Sequence, residues 1–302
     1  MMMTMEYHNP VLLQASVDGL AIQPNGVYVD VTFGGGGHSA EILKRLGEHG
    51  KLFAFDQDED AAQNTFNDSR FQFIPQNFRS IKRFLRFYGV KQVDGILADL
   101  GVSSHQFDVP ERGFSTRFDG ALDMRMNQGS QLNAYKVLHE YEELALRKVF
   151  LEYGELKNAG AIAYTIVHAR KSLPLETTSD LKMMLQKFLP AHKSNKILAQ
   201  IYQAIRIEVN QELEVLKEFL VQSLELLKPG GRLSVISYHS LEDRLVKRYM
   251  RNGMFEGEPE RDMFGRFSVP FKWVEKLIIP SEEEIQINNR ARSAKLRIAE
   301  KL

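Results

Sequence analysis

The chain has 302 residues, 43% of them hydrophobic and 26% charged, a globular composition that excludes wholesale disorder, collagen-like repeats and a disulfide scaffold. Lysine plus arginine (39) balances aspartate plus glutamate (39), so a polyanionic partner has to be held by a local basic face rather than by net charge. Cysteine is absent, which removes thiolate nucleophiles and cysteine-ligated zinc or iron–sulfur sites.

The opening MMMTMEYHNP lacks the basic and apolar regions of a secretion signal, and no later segment approaches the ~20 apolar residues that span a bilayer. The expectation is a cytoplasmic protein with no membrane partner. Residues 27–31 (VYVDV) read as a short strand, followed by Thr32, Phe33 and four glycines, then by a helical pattern from about Ser39. Lys51–Phe55 reads as a second buried strand ending in Asp56. EDAAQNTF then looks helical, Phe71–Ile74 is another apolar run, and Val93–Leu100 is a third clear strand. This alternation predicts βαβ units and a mostly parallel sheet covered on both faces.

From about Phe107 the pattern changes to a loop rich in Gly, Asp and Arg, and then to helices over 133–155, 159–169, 181–189 (closed by Pro190) and 197–227. The strand pattern resumes at Gly230–Tyr238. The predicted fold class is therefore α/β with a helical insertion. Residues 1–106 and 207–302 form the two parts of one domain, and 107–206 form the insertion.

The glycine run Gly34–Gly37 lies between a strand and a helix, where missing Cβ atoms and free N–H groups suit a nucleotide-like ligand. Started at Gly34, the dinucleotide fingerprint places Ser39 at its third position, an imperfect match to the NAD form. Asp56 follows Gly36 by 20 residues, the offset at which a carboxylate meets ribose hydroxyls. That geometry suits the adenosine half of NAD and of S-adenosylmethionine equally. As a structural alternative, Asp56 caps the segment after it.

The third strand ends in Ala98-Asp99-Leu100-Gly101-Val102-Ser103-Ser104-His105-Gln106. These small and polar groups stand at the carboxyl edge, where doubly wound folds bind ligands. Ser240 and Asp243 have capping-box spacing, and His239 with Glu242 or Asp243 reads as structural capping rather than a metal pair; no metal is expected. Arg112, Arg117 and Arg125, interleaved with Phe114 and Phe118, and the basic stretch from Asn288 to Arg297 (NNRARSAKLR) mix charge with stacking or small side chains, as RNA-binding surfaces do.

Several strings then coincide with a known family: HNPVLL (8–13), TFGGGGHS (32–39), DLGVSS with Gln106, ERGFS (111–115), LDMRM (122–126), QAIRIEVNQELE (203–214), HSLEDR (239–244) and NNRARSAKLR. Running nearly end to end in order, they resemble the RsmH (MraW) family, S-adenosylmethionine-dependent methyltransferases that modify N4 of a cytidine in the decoding region of small-subunit ribosomal RNA. The resemblance implies a Rossmann-like class I methyltransferase with S-adenosylmethionine as cofactor. It implies small-subunit ribosomal RNA, or the subunit itself, as partner, and leaves a homodimer open. It places cofactor contacts on Gly36, Gly37, His38, Asp56, Phe78, Asp99 and Gln106.

For catalysis, Asp99, or a backbone carbonyl near it, is expected to accept from the reacting amine while Ser103 or Ser104 positions the base, the alternative for Asp99 being a contact with the cofactor; Arg112, Arg125, Arg290 and Arg292 are expected on the RNA. Because cytosine C5 methylation runs through a cysteine adduct, the cysteine-free chain retains amine or oxygen methylation. The competing readings are an NAD-dependent dehydrogenase, a non-catalytic RNA-binding assembly factor and a DNA amino-methyltransferase. The last lacks its usual (D/N/S)PP(Y/F) string here.

Overall fold

A computed structural model describes residues 10–259, 263–264 and 268–302. His8 and Asn9 of the HNPVLL string lie outside the described residues. The chain divides into two compact units, one made of residues 1–101 and 214–302 and the other of 102–213. The sequence had placed the joins at 106/107 and 206/207.

The first unit is built on a seven-stranded sheet: β1 (Val27–Asp30), β2 (Lys51–Phe55), β3 (Phe71–Ile74), β4 (Val93–Asp99), β5 (Leu227–Ser237), β6 (Phe271–Ile278) and β7 (Lys295–Lys301). Their spatial order is β3-β2-β1-β4-β5-β7-β6. β1 to β5 run parallel, and β7 is antiparallel to both of its neighbours. The central strands are nearly continuous apolar runs because both faces are covered. Tyr28, Leu52 and Leu97 face one side with Ile42 and Leu43 of the helix Gly37–Arg45 and with Leu46 just after it. Val29, Phe53, Ile96 and Ala98 face the other with Leu216, Phe219 and Leu220 of the helix Glu212–Leu226 and Val246 and Met250 of the helix Ser240–Asn252. The period-two alternation along β1, β2 and β4 thus sorts the side chains between two helical layers.

The second unit is helical: Ala134–Glu140, Glu143–Glu152, Ala159–Ala169, Thr178–Met184 and Ser194–Asn210. They surround a core that includes Val137, Leu146, Phe150, Ile162, Ile166, Ile201 and Ile205. Among the described residues, no helix is long and apolar enough to cross a membrane.

Local details differ from the sequence reading for identifiable reasons. The stretch expected as a helix after Asp56 is a 3₁₀ turn, Glu59–Asn64, capped by Asp58. The long pattern from 197 to 227 breaks at Gln211, whose φ of 52° ends one helix before the next begins. The capping cluster at 177–180 that the sequence offers for the helix 181–189 is present as the Thr177/Asp180 capping box, but the helix already includes Thr178 and gives way to a 3₁₀ turn at Gln186–Phe188. The capping box near 240 sits one residue earlier than the Ser240/Asp243 spacing suggested. His239 is the cap and Glu242 its partner, which frees Asp243 to pair with Lys295 and Arg297.

Candidate active site

Chain direction across the sheet reverses between β1 and β4: from β1 the chain moves to β2 and β3, and β4 leads towards β5. The crevice at the carboxyl ends of β1 and β4 is therefore the topological switch point where open α/β sheets bind ligands.

Asp30 ends β1 and is fully buried. One of its oxygens accepts the Thr32 N–H at 3.1 Å and the other accepts the Ser39 hydroxyl at 2.7 Å, so one carboxylate ties together both ends of the glycine run. Thr32 Oγ1 in turn accepts the Asp99 N–H at 2.6 Å, joining the loop to the end of β4. Within the run, Gly34 N–H donates to Asp56 Oδ2 at 2.7 Å, and Gly34 C=O accepts from Asn64 at 2.9 Å.

Gly36 has φ = 78°, and a Cβ there would lie 2.9 Å from the Phe66 ring and 3.1 Å from Phe33. At Gly37 a Cβ would overlap the Pro10 ring, and at Gly35 it would meet nothing within 4 Å. The run is thus pinned on its protein side and open on the other, with the N–H groups of the first turn of helix 37–45 unclaimed by the helix itself. Gly36→Ala is expected to weaken S-adenosylmethionine binding at least about tenfold, since a left-handed non-glycine residue costs about 1–2 kcal/mol before any ring displacement. Calorimetric titration of the variant checks it.

Asp56 accepts from Gly34 N–H and, through Oδ1, from Asp58 N–H at 2.9 Å. It therefore braces the turn that follows while keeping acceptor capacity for two ribose hydroxyls. Burial pushes its carboxyl up to about 6, against the opposing pull of those two N–H donors. Asp99 ends β4 and receives the Tyr238 hydroxyl on Oδ1 at 2.7 Å. Although 22% of its side chain stays exposed, burial raises it to about 6 as well, with His38 and the Tyr238 donor acting against the rise.

His38 is buried, and its Nε2 lies 3.2 Å from the Val11 carbonyl. A carbonyl only accepts, so Nε2 carries the proton and Nδ1 is the bare acceptor of the neutral ring. Burial lowers the His38 pKa despite the nearby Asp99. The 3.9 Å between Nδ1 and Asp99 Oδ2 is accordingly a pair of facing acceptors at neutral pH and not an ion pair.

Gly36, Gly37, His38, Asp56 and Asp99 thus gather at one edge of the first unit. Phe78, in a 3₁₀ turn after β3, is half-buried with its ring 5.2 Å from that of Phe219. In the second unit Ser103 and Gln106 form a reciprocal capping box: Gln106 N–H donates to Ser103 Oγ and Ser103 N–H to Gln106 Oε1. Ser104 opens that short helix, Ser104–Asp108.

Arg112 and Arg125 hold their own loop together. Arg112 is buried and donates to the carbonyls of Arg125 and Met126, while Arg125 pairs with Asp123 and donates to the carbonyls of Gln128 and Ser130. Of the interleaved aromatics, Phe114 is in the insertion core and Phe118 is exposed. Arg290 and Arg292 lie in the 3₁₀ turn Asn289–Ser293. Arg292 lines a cleft of about 290 Å³ that also takes in Tyr238, His239 and Lys295.

Three contributors escaped the sequence reading. Asp30 was signalled only by being a strand-terminal acid before a glycine run. Ser39 reads in the sequence as a departure from the glycine fingerprint, whereas its hydroxyl anchors the second oxygen of Asp30. Tyr238 carried no local signal, because its partner is 139 residues away.

Glycine run, ribose-type carboxylate and acceptor carboxylate at the switch point of a sheet with β7 reversed between β5 and β6 define a class I S-adenosylmethionine-dependent methyltransferase. Such a cofactor fits the residues present: Asp56 for the ribose, the open face at Gly35 and the first turn of helix 37–45 for backbone contacts.

The model of the MraW methylase family matches residues 5–302, and the chain belongs to that family. It is 74% identical to a ribosomal RNA small subunit methyltransferase H from Flavobacterium johnsoniae over 99% of both chains. Identity to the protein of that name from Christiangramia forsetii is 70% over the whole of both. For the one from Bacteroides thetaiotaomicron it is 56%, over 98% of this chain and 97% of the relative.

Asp56 and Asp99 accept hydrogen bonds best as carboxylates, so kcat/KM for methyl transfer is expected to rise with pH through an apparent pKa near 6 and to level off above 7. The two groups titrate as a coupled set with Asp30, so the limb belongs to the cluster. A pH–rate profile between 5 and 9 measures it, and a flat profile would contradict it.

Proposed function

We propose that this methyltransferase acts on small-subunit ribosomal RNA, at N4 of a cytidine in the decoding region. The observation that carries the reading is the pair of acceptors at the end of β4, Asp99 Oδ2 and the bare His38 Nδ1, 3.9 Å apart. An exocyclic amine presents two protons and a lone pair delocalised into the ring, so it needs acceptors that hold it in line and draw on its N–H bonds as the new bond forms. When bound, S-adenosylmethionine supplies an electrophilic methyl group on sulfur. Methylation of the amine requires that one of its protons be given up, and Asp99 would be the first acceptor. Positioning and preorganised acceptors are the main sources of rate in such a reaction.

The absence of cysteine agrees with amine rather than C5 chemistry, and the names of the relatives agree with the RNA. The target base has to leave its stack to reach a recessed carboxylate, which is cheapest in a loop or single strand. Arg292 and Lys295, in the same cleft as Tyr238, are proposed to meet the backbone beside it, with Arg290 in the same turn as Arg292. Ser103 and Ser104 are proposed to orient the base through the capped turn that follows Asp99.

The test is transfer of labelled methyl from S-adenosylmethionine to small subunits lacking the modification and to the naked RNA, followed by nucleoside analysis. N4-methylated cytidine is the expected product. Label on ribose oxygen, on ring carbon, or on DNA in preference to RNA would overturn the reading.

A further inference from the structure

Tyr238 lies just past β5 in a string whose other members, His239 and Glu242, are accounted for by helix capping. Its own role is different. Asp99 pairs with Ile236 across β4 and β5, and Tyr238, two residues further on, falls on the same face one pleat beyond the strand. Its backbone N–H donates to Glu242 Oε2 at 2.9 Å, so the first turn of helix 240–252 holds its main chain in place. Its hydroxyl, with one proton to give, donates it to Asp99 Oδ1 at 2.7 Å. Burial and the surrounding carboxylates Asp99, Glu242 and Glu284 hold the phenol pKa well above its ordinary value, so Tyr238 stays a donor throughout the range in which the enzyme works.

We propose that Tyr238 is a positioning residue for methyl transfer: it commits Asp99 Oδ1, turns Oδ2 towards the reacting amine, and keeps the carboxylate in its ionised, accepting form. The inference rests on Asp99 being the acceptor in the function proposed above. Among the described residues, four groups act on the Asp99 charge: Asp30 from β1, His38 from helix 37–45, Tyr238 from the end of β5 and Glu242 from helix 240–252. Asp30 and Glu242 oppose its ionisation, and His38 is itself held neutral by burial. A protonated His38 would favour the charged form most strongly, and with that ring neutral the Tyr238 hydroxyl is the donor that favours it. Packing alone would need only the ring.

Tyr238→Phe separates the two roles, because it keeps the ring and removes the proton. A donor to a carboxylate favours the charged form, so its loss raises the Asp99 pKa. The acid limb of kcat/KM is expected to move up by about one pH unit, the scale of a hydrogen bond to a charged group. At pH 6 kcat is expected to fall about fivefold and at pH 8.5 to recover to within about threefold of the unsubstituted enzyme, with KM for RNA changed less than kcat.

A profile that superimposes on that of the unsubstituted enzyme, or a loss equal at every pH, would overturn the inference. Titration of the Asp99 carboxyl carbon by NMR in both proteins reads the hydrogen bond without any RNA. A raised Asp99 pKa in Tyr238→Phe supports the inference even if no cytidine is methylated, and an unchanged one overturns it. Failure here is thereby distinguished from failure of the N4 reading.

Discussion

Asp99→Asn is expected to lower kcat by about 100- to 1000-fold, the loss typical of removing one preorganised group that meets charge developing in a transition state. Asparagine keeps the shape and can still accept from Tyr238, but it loses the negative charge proposed above to take up the amine proton. Stability is expected to move the other way. The unfolded chain releases this proton near 4 and the folded one near 6, so between those values the folded state binds more protons. The stability contributed by the neutral acid is lost as pH rises through 6. At pH 8 the variant, spared a buried charge, should melt no lower than the unsubstituted protein and should gain most relative to it above pH 6. Single-turnover methyl transfer together with melting curves at pH 5 and 8 tests both halves. Undiminished transfer would remove Asp99 from the mechanism, whereas a collapse of melting temperature would make it a structural residue.

The second large effect is on folding. Arg297 in β7 is buried and clamps Asp243 of helix 240–252 through Nε at 2.7 Å and Nη2 at 3.2 Å. It also donates to the Lys276 carbonyl in β6. Arg297→Ala leaves Asp243, 12% exposed, with Lys295 as its remaining cationic partner. Breaking a buried pair from one side costs about 3–5 kcal/mol, which for a domain of this size corresponds to a fall of about 10 °C in Tm.

The pH dependence has a definite sign. Burial works to raise the Asp243 pKa, but Arg297 and Lys295 bring it below the ordinary carboxylate range. The stabilisation is present above the unfolded value near 4 and disappears as pH falls through the lower folded one. The gap in Tm between the two proteins should therefore be full at pH 7 and shrink towards pH 3. A constant gap would mean that Arg297 acts by packing alone.

The two substitutions also separate what was legible from what was not. Asp99 could be read directly, as a polar residue ending an apolar run, and Asp56 could be read from its spacing to Gly36. Arg297 read as one of several cations in a basic tail, and nothing local distinguishes a buried, clamped arginine from an exposed one. Arg112 carries the same lesson, since the expected RNA contact is a buried brace for the loop carbonyls.

Sequence alone determined the βαβ alternation, the helical insertion and the glycine run with its ribose-type carboxylate. These follow from hydrophobic period, turn chemistry and short spacings, all of which act within a few dozen residues. Tertiary structure decided the rest. Neither the reversal of β7 between β5 and β6, nor the meeting of His38 with Asp99, nor the bond from Tyr238 to Asp99 across 139 residues has a local signature. Each depends on which strand lies beside which, and strand order is set by burying the whole sheet at once. Where both levels bear on one position, as at His239 and Ser240, the local rule found the motif and packing chose the residue. With Asp243 engaged by Arg297 and Lys295, the cap moved back by one.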